Sequence, residues 1–360
     1  MRLGGVLVTS DVVARNESRR SRLGELDALR GLAAFGVMVF HYTTLYGINI
    51  GHTNAPSFEF PEGDYAVYLF FMISGFVIFM TLENARAASD FIVSRFSRLY
   101  PAYWASIAVT AAFVYSVGLK GQQIEIWELL VNLTMFQQAF HVRHLDGAYW
   151  TLQIEMYFYI QILIWFKLGQ LNRIRWIVLL WLSVCVVFEI FDRRGTPLSW
   201  TLAQFLMVQH IPFFAMGILF YRIYKDRSRA ILDHLMIGLA LATIWFVRGP
   251  TFGLVAVFCA CVFLLFVYGK ARWLNNPILA FLGLISYSLY LLHESIGFIV
   301  IWHLEHDLEL SSSWSIAIAA VLSLVLATLL TKLVERPVMR WIRRQWTSRD
   351  GRISTNEAGG

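Results

Sequence analysis

Residues 65–83 read YAVYLFFMISGFVIFMTLE, with no charged side chain before Glu83. Nineteen residues rising 1.5 Å each cover ~30 Å as a helix, the depth of a bilayer's hydrocarbon. Nine further blocks of this kind lie at about 27–47, 100–118, 147–167, 174–191, 201–223, 231–248, 251–269, 278–302 and 313–334. Together they fill most of the 360 residues and leave no room for a sizeable soluble domain. Only 15% of the chain is charged, where a soluble domain carries ~25%, so a water-facing surface could not be covered. The thirteen Trp and fifteen Tyr suit interfacial belts, where amphipathic rings sit at headgroup depth. The expected fold class is all-α: a polytopic integral membrane protein of about ten transmembrane helices in the bilayer.

Orientation follows from the distribution of Lys and Arg, which concentrate on the cytosolic side. With the N-terminus in the cytosol, only Lys120, Arg143, Arg193, Arg194 and Arg248 fall outside, five of thirty. Both termini are therefore expected to be cytoplasmic. Gly4 to Val13 is broken by Asp11 and followed by RNESRRSR, which makes a poor signal peptide. Residues 1–25 are read as a flexible cytosolic arm, 26–341 as the membrane domain and 342–360 as a flexible cytosolic tail. Residues 124–140, IEIWELLVNLTMFQQAF, carry Glu125, Glu128, Asn132, Gln137 and Gln138. A span there would invert everything downstream, so the segment is read as an interfacial or re-entrant helix on the outer side. The net charge of +6 does not signal nucleic acid, because the basic residues sit in short clusters between spans. Cys185, Cys259 and Cys261 lie inside apolar blocks, so neither a disulfide framework nor a metal site is indicated.

An ionisable side chain at bilayer depth costs several kcal/mol unless paired or solvated, so each one is a candidate functional site. The deep ones are His41, Glu155, His210 and His293, with Glu294 beside the last. Helical rise puts His41 about 21 Å, His293 about 22 Å and Glu155 about 20 Å above the inner face. Three titratable groups on three helices thus share one layer, where an imidazole beside a carboxylate could take a proton from a hydroxyl. His210 precedes Ile211 and Pro212 and is read as satisfying backbone freed at a kink. On the inner face Arg95 and Arg98 lie three apart on one helix face, with Arg30 at the inner end of the first span. Guanidinium groups clamp phosphates through paired donors, so a phosphorylated molecule could dock there. Pro101 suits the first turn of the third span.

These residues also fall in a pattern. ELDALRGLAAFGVMVFHY (25–42), with Arg30 and His41, resembles the opening signature of membrane acyltransferase family 3, bacterial O-acyltransferases of surface sugars. LFFMISGFVIF (69–79) resembles its Ser-Gly-Phe motif at Ser74, Gly75 and Phe76, and SRFSRLYPAYW (94–104) its Arg-x-x-Arg inner loop. WTLQIEMYFY (150–159), ISYSLYLLH (285–293) and ERP (335–337) resemble the later motifs in order, with Thr151 where the family usually has Ser. The resemblance implies acyl transfer from a cytoplasmic acyl-CoA, usually acetyl-CoA, to a hydroxyl of a saccharide or glycolipid acceptor. It implies a bacterial cytoplasmic membrane location, a stand-alone form and no permanently bound cofactor.

By the same resemblance His41 is the catalytic residue, and Arg95, Arg98 and Arg30 serve the acyl-CoA donor. Glu155 is expected to orient His41, as an acid behind a base, with Ser74, Tyr159 and His293 in support and Ser74 or Tyr159 as candidate oxyanion donors. Direct attack and a transient acyl-His41 are both open. Acceptor choice is expected in the loops 48–63 and 119–146. The rival reading is a proton-coupled transporter, with His41, Glu155 and His293 as its relay.

Overall fold

The structure, a computed structural model, describes residues 24–357. The expected N-terminal arm lies almost wholly outside the described residues. Among them there is no strand, and each of the ten expected stretches falls largely on helix. We number the long helices α1 Gly24–Asn49, α2 Pro61–Glu83, α3 Ala88–Val117, α4 Trp150–Lys167, α5 Leu171–Arg193, α6 Ile211–Lys225, α7 Ala230–Arg248, α8 Pro250–Val267, α9 Pro277–His306 and α10 Ser312–Ser348. Seven of them are long and apolar enough to cross a membrane by length and composition. The other three, α3, α4 and α6, carry Arg95, which is buried, and Arg98, Glu155 and Arg222, which are partly buried. The chain is a multi-pass membrane protein.

The helix ends follow local chemistry. Pro277 opens α9 behind Asn276, whose Oδ1 accepts from the Leu279 N–H at 3.0 Å. Gly249, at φ 82°, followed by Pro250 separates α7 from α8. Pro101 does not open its helix: α3 starts at Ala88, and Pro101 lies in its interior. Pro212 stands in the first turn of α6 and makes no kink there. Residues 124–140 form a short helix, Ile126–Asn132, and a 3-10 turn, Gln137–Phe140. Seven residues rise only ~10 Å, too little to cross. Glu128, Asn132 and Gln137 are turned inward while Ile126, Trp127 and Phe140 are exposed.

Where α2 crosses α6 the backbones touch. A Cβ on Gly75 would stand 2.1 Å from the Phe214 carbonyl oxygen, and one on Gly217 would stand 2.0 Å from that of Met72. Phe214 stacks on Phe71 and Phe158, with ring centroids 4.9 and 4.3 Å apart. Helix α9 is the central one: 78% of its apolar window is buried, against 28% for α10. The exposed faces of α7, α8 and α10 carry Leu235, Phe258 and Val325, a surface that suits lipid and not water. At one end of the bundle Arg175 of α5 and Arg222 of α6 both bind Asp233 of α7, at 2.8 and 3.1 Å. We call this the arginine-rich end.

Candidate active site

Helix α1 does not stay α-helical through its motif. His41–Leu45 is a π turn, a local widening of the helix by one extra residue that recurs at functional sites. It sets the His41 ring against α9, where His41 Nδ1 lies 2.9 Å from His293 Nε2 and the two rings stack at 4.7 Å. The other nitrogen of His293, Nδ1, faces the carbonyl oxygens of Tyr290 at 2.9 Å and Leu289 at 3.2 Å. Carbonyls only accept, so His293 Nδ1 carries the proton and Nε2 presents a lone pair. That lone pair in turn requires the proton of His41 on Nδ1. The Nε2 of His41 is left as the lone-pair nitrogen.

Glu294 adds to this. Its Oε2 lies 3.4 Å from His41 Nδ1, so a carboxylate backs the same N–H that His293 receives. Gly147 makes the room: a Cβ there would fall 2.1 Å from Glu294 Oε1. Beside it, Asp146 accepts from the backbone N–H groups of Ala148 at 3.0 Å and Ser295 at 2.9 Å. Tyr42 ties the assembly to α10, its hydroxyl donating to the His293 carbonyl at 2.6 Å and meeting Ser323 Oγ at 2.6 Å.

Glu155 stands elsewhere. Its Oε1 accepts from Ser74 Oγ at 2.6 Å and from the Tyr159 hydroxyl at 2.7 Å. No hydrogen bond or ion pair joins it to His41 among the described residues, so the orienting contacts expected of Glu155 are made by His293 and Glu294. Ser74 and Tyr159 are likewise turned to Glu155. All three line a cleft with about 750 Å³ of empty space, together with Arg30, Arg95 and Arg98. The cleft extends to Thr151 and Tyr290, whose hydroxyls meet at 2.7 Å. There its lining ends, with the Tyr290 ring centroid 5.6 Å from that of His293.

The guanidinium groups at the other end of the cleft are short of partners. Arg30 binds Asp27 at 3.0 Å, but neither Arg95 nor Arg98 has a carboxylate within ion-pair distance among the described residues. Arg95 is buried, donates to Thr81 Oγ1 at 3.2 Å, and leaves its Nε without a partner. A buried cation with an orphaned donor is unfavourable unless an anion joins it. Arg343 of α10 lies close by, its Nε 3.3 Å from Ser97 Oγ and its charge felt by both Arg95 and Arg98. Residues 342–348, expected in a flexible tail, continue the helix and dock on α3 through Arg343 and through Trp346, which donates to Asp90 at 2.9 Å.

Of the residues singled out from sequence, then, His41 and His293 meet, and Arg30, Arg95, Arg98, Glu155, Ser74 and Tyr159 share one cleft. His210 joins neither group. It packs on Phe71 and Trp150, at 5.3 and 5.6 Å, and its Nδ1 satisfies no backbone group. Glu294 was named for its depth but given no role, and Asp146 and Arg343 were missed. Glu294 carried a signal, as a carboxylate next to a deep histidine; the other two sit in segments whose docking no local pattern discloses.

Residues 23–332 match the family model for an acyltransferase domain. The chain belongs to membrane acyltransferase family 3. This acyltransferase has relatives along most of its length. Acyltransferase MdmB of Streptomyces mycarofaciens is 23% identical over 90% of this chain and 93% of its own. Nodulation protein 10 of Rhizobium leguminosarum bv. viciae is 25% identical over 90% of this chain and 95% of its own. A protein of Acidianus two-tailed virus named as an acetyltransferase is 24% identical over 74% of this chain and 80% of its own. No solved structure matches the chain. Family membership separates this acyltransferase from the proton-coupled transporter that its buried histidines also suggested.

Proposed function

We propose that this acyltransferase moves an acetyl group from acetyl-CoA to a hydroxyl of a saccharide or glycolipid, at the cytoplasmic membrane of a bacterium, with its arginine-rich end in the cytosol. The observation that carries the reading is the lone pair left on His41 Nε2 by the chain of hydrogen bonds through His293. His41 Nε2 takes the proton of the acceptor hydroxyl as its oxygen attacks the thioester carbonyl. The C–S bond breaks, the sulfur leaves with the proton now held on His41, and an ester and free CoA result. His293 and Glu294 steady the imidazolium formed between the two proton transfers. The CoA phosphates lodge against Arg95 and Arg98, whose guanidinium donors otherwise lack anions, with Arg30 and Arg343 close by. The pantetheine arm follows the cleft past Glu155 to Tyr290, whose ring must give way for the thioester to reach His41.

Acetyl-CoA should raise the thermal unfolding temperature of the purified wild type and leave that of Arg95→Ala/Arg98→Ala unmoved. Equal protection of both proteins would remove the donor site from these arginines. The absence of protection from either would remove acyl-CoA.

A further inference from the structure

A second cleft, with about 830 Å³ of space, opens at the end of α5 remote from the Arg175 ion pair, and acyl-CoA chemistry has no use for it. Its walls are the last turns of α5, the short helix Trp200–Phe205 and the turn leading into α6. Three of its side chains, Asp192, Gln204 and Gln209, have no hydrogen-bond or ionic partner among the described residues. Glu189 is bound by Arg193 at 2.6 Å. Trp200 presents a half-exposed indole, stacked on one side by His141 with ring centroids 6.0 Å apart. His210 closes the inner end.

That set selects a ligand by exclusion. An anion would meet two carboxylates, of which only Glu189 has a cation beside it. An apolar ligand would strip water from the amides and from Asp192 and return no hydrogen bonds. Carboxylates accept, and primary amides both donate and accept, so the complement is a molecule rich in hydroxyls that do both. An indole face beside them fits the C–H face of a ring. The wall behind His210 is thin: its ring packs on Phe71, which lines the central cleft, and on Trp150, next to Thr151, which also lines it. We propose that this cleft binds a neutral sugar ring through Trp200, Asp192, Gln204 and Gln209 and holds the acceptor beside the central cleft. The acceptor role rests on the acyl-transfer reading; the sugar site does not.

The test uses the full chain in a detergent without a sugar headgroup. Methyl β-glucopyranoside, methyl β-galactopyranoside and N-acetylglucosamine serve as neutral probes, with glucose 6-phosphate and choline as charged ones. At saturation at least one neutral sugar should raise Tm by about 2 °C or more, and the shift should vanish in both Trp200→Ala and Gln209→Leu. Acetyl-CoA should still protect both variants, which keeps loss of the site apart from loss of the fold. A variant that acetyl-CoA no longer protects is replaced in the comparison by Gln204→Leu. No shift with any neutral sugar, a shift that survives the replacements, or a larger shift with choline or the phosphate overturns the proposal. Failure of acetyl-CoA to protect the wild type would instead count against the acyl-CoA reading.

Discussion

Two backbone carbonyls, of Leu289 and Tyr290, fix the proton on His293 and through it the free nitrogen of His41. If that relay sets the reactive tautomer, replacing His293 should act on kcat and spare the donor. His293→Ala is expected to lower kcat about 100-fold with KM for acetyl-CoA unchanged. His293→Gln, which keeps an acceptor for the His41 N–H, should recover part of the loss in steady-state kinetics. A fall in acetyl-CoA affinity of the same size would make His293 a packing residue only. The common height of His41 and His293 was legible from sequence because helical rise fixes height in the bundle; their direct pairing was not. Glu155 shares that estimated height but not the site, since height says nothing of which way round its helix a side chain points.

The Arg95–Arg98 face was legible from a spacing of three on one helix. Arg343 was not, because nothing in a basic run tells which helix it docks on. The π turn at His41–Leu45 is equally silent in sequence, as is a second one, Thr331–Glu335, at the Glu335 of the closing motif. The loop 118–149 holds a polar interior that reading for apolar blocks passes over. In it the Gln137 amide lies 2.7 Å from His144 Nδ1, and burial holds the His144 imidazole down at about 4. The folded state therefore favours neutral His144, while the unfolded chain takes up a proton near pH ~6.5. The stability it contributes is complete above that pH and is lost as pH falls toward 4. Between pH 7 and 4.5 the wild type should lose more Tm than His144→Gln; parallel curves would contradict this.

At the scale of the molecule, α7, α8 and α10 turn apolar faces outward, while α4, α6 and α9 bury most of their surface and carry charged residues among them. That division explains why blocks of about twenty apolar residues were enough to find the architecture, while the partners of each buried charge were not legible. It also gives the account a direction across the membrane. In a variant freed of its three cysteines, Lys225→Cys should react with a membrane-impermeant maleimide only after the cells are opened. Thr196→Cys should react in intact cells, and the reverse pattern would invert the chain. The sharpest measurement is transfer of label from radiolabelled acetyl-CoA by the wild type and by His41→Ala, with donor binding read in parallel by thermal protection. The account predicts that His41→Ala keeps the protection by acetyl-CoA and loses transfer by ~1,000-fold or more. Near-normal transfer by that variant would contradict the central role of His41.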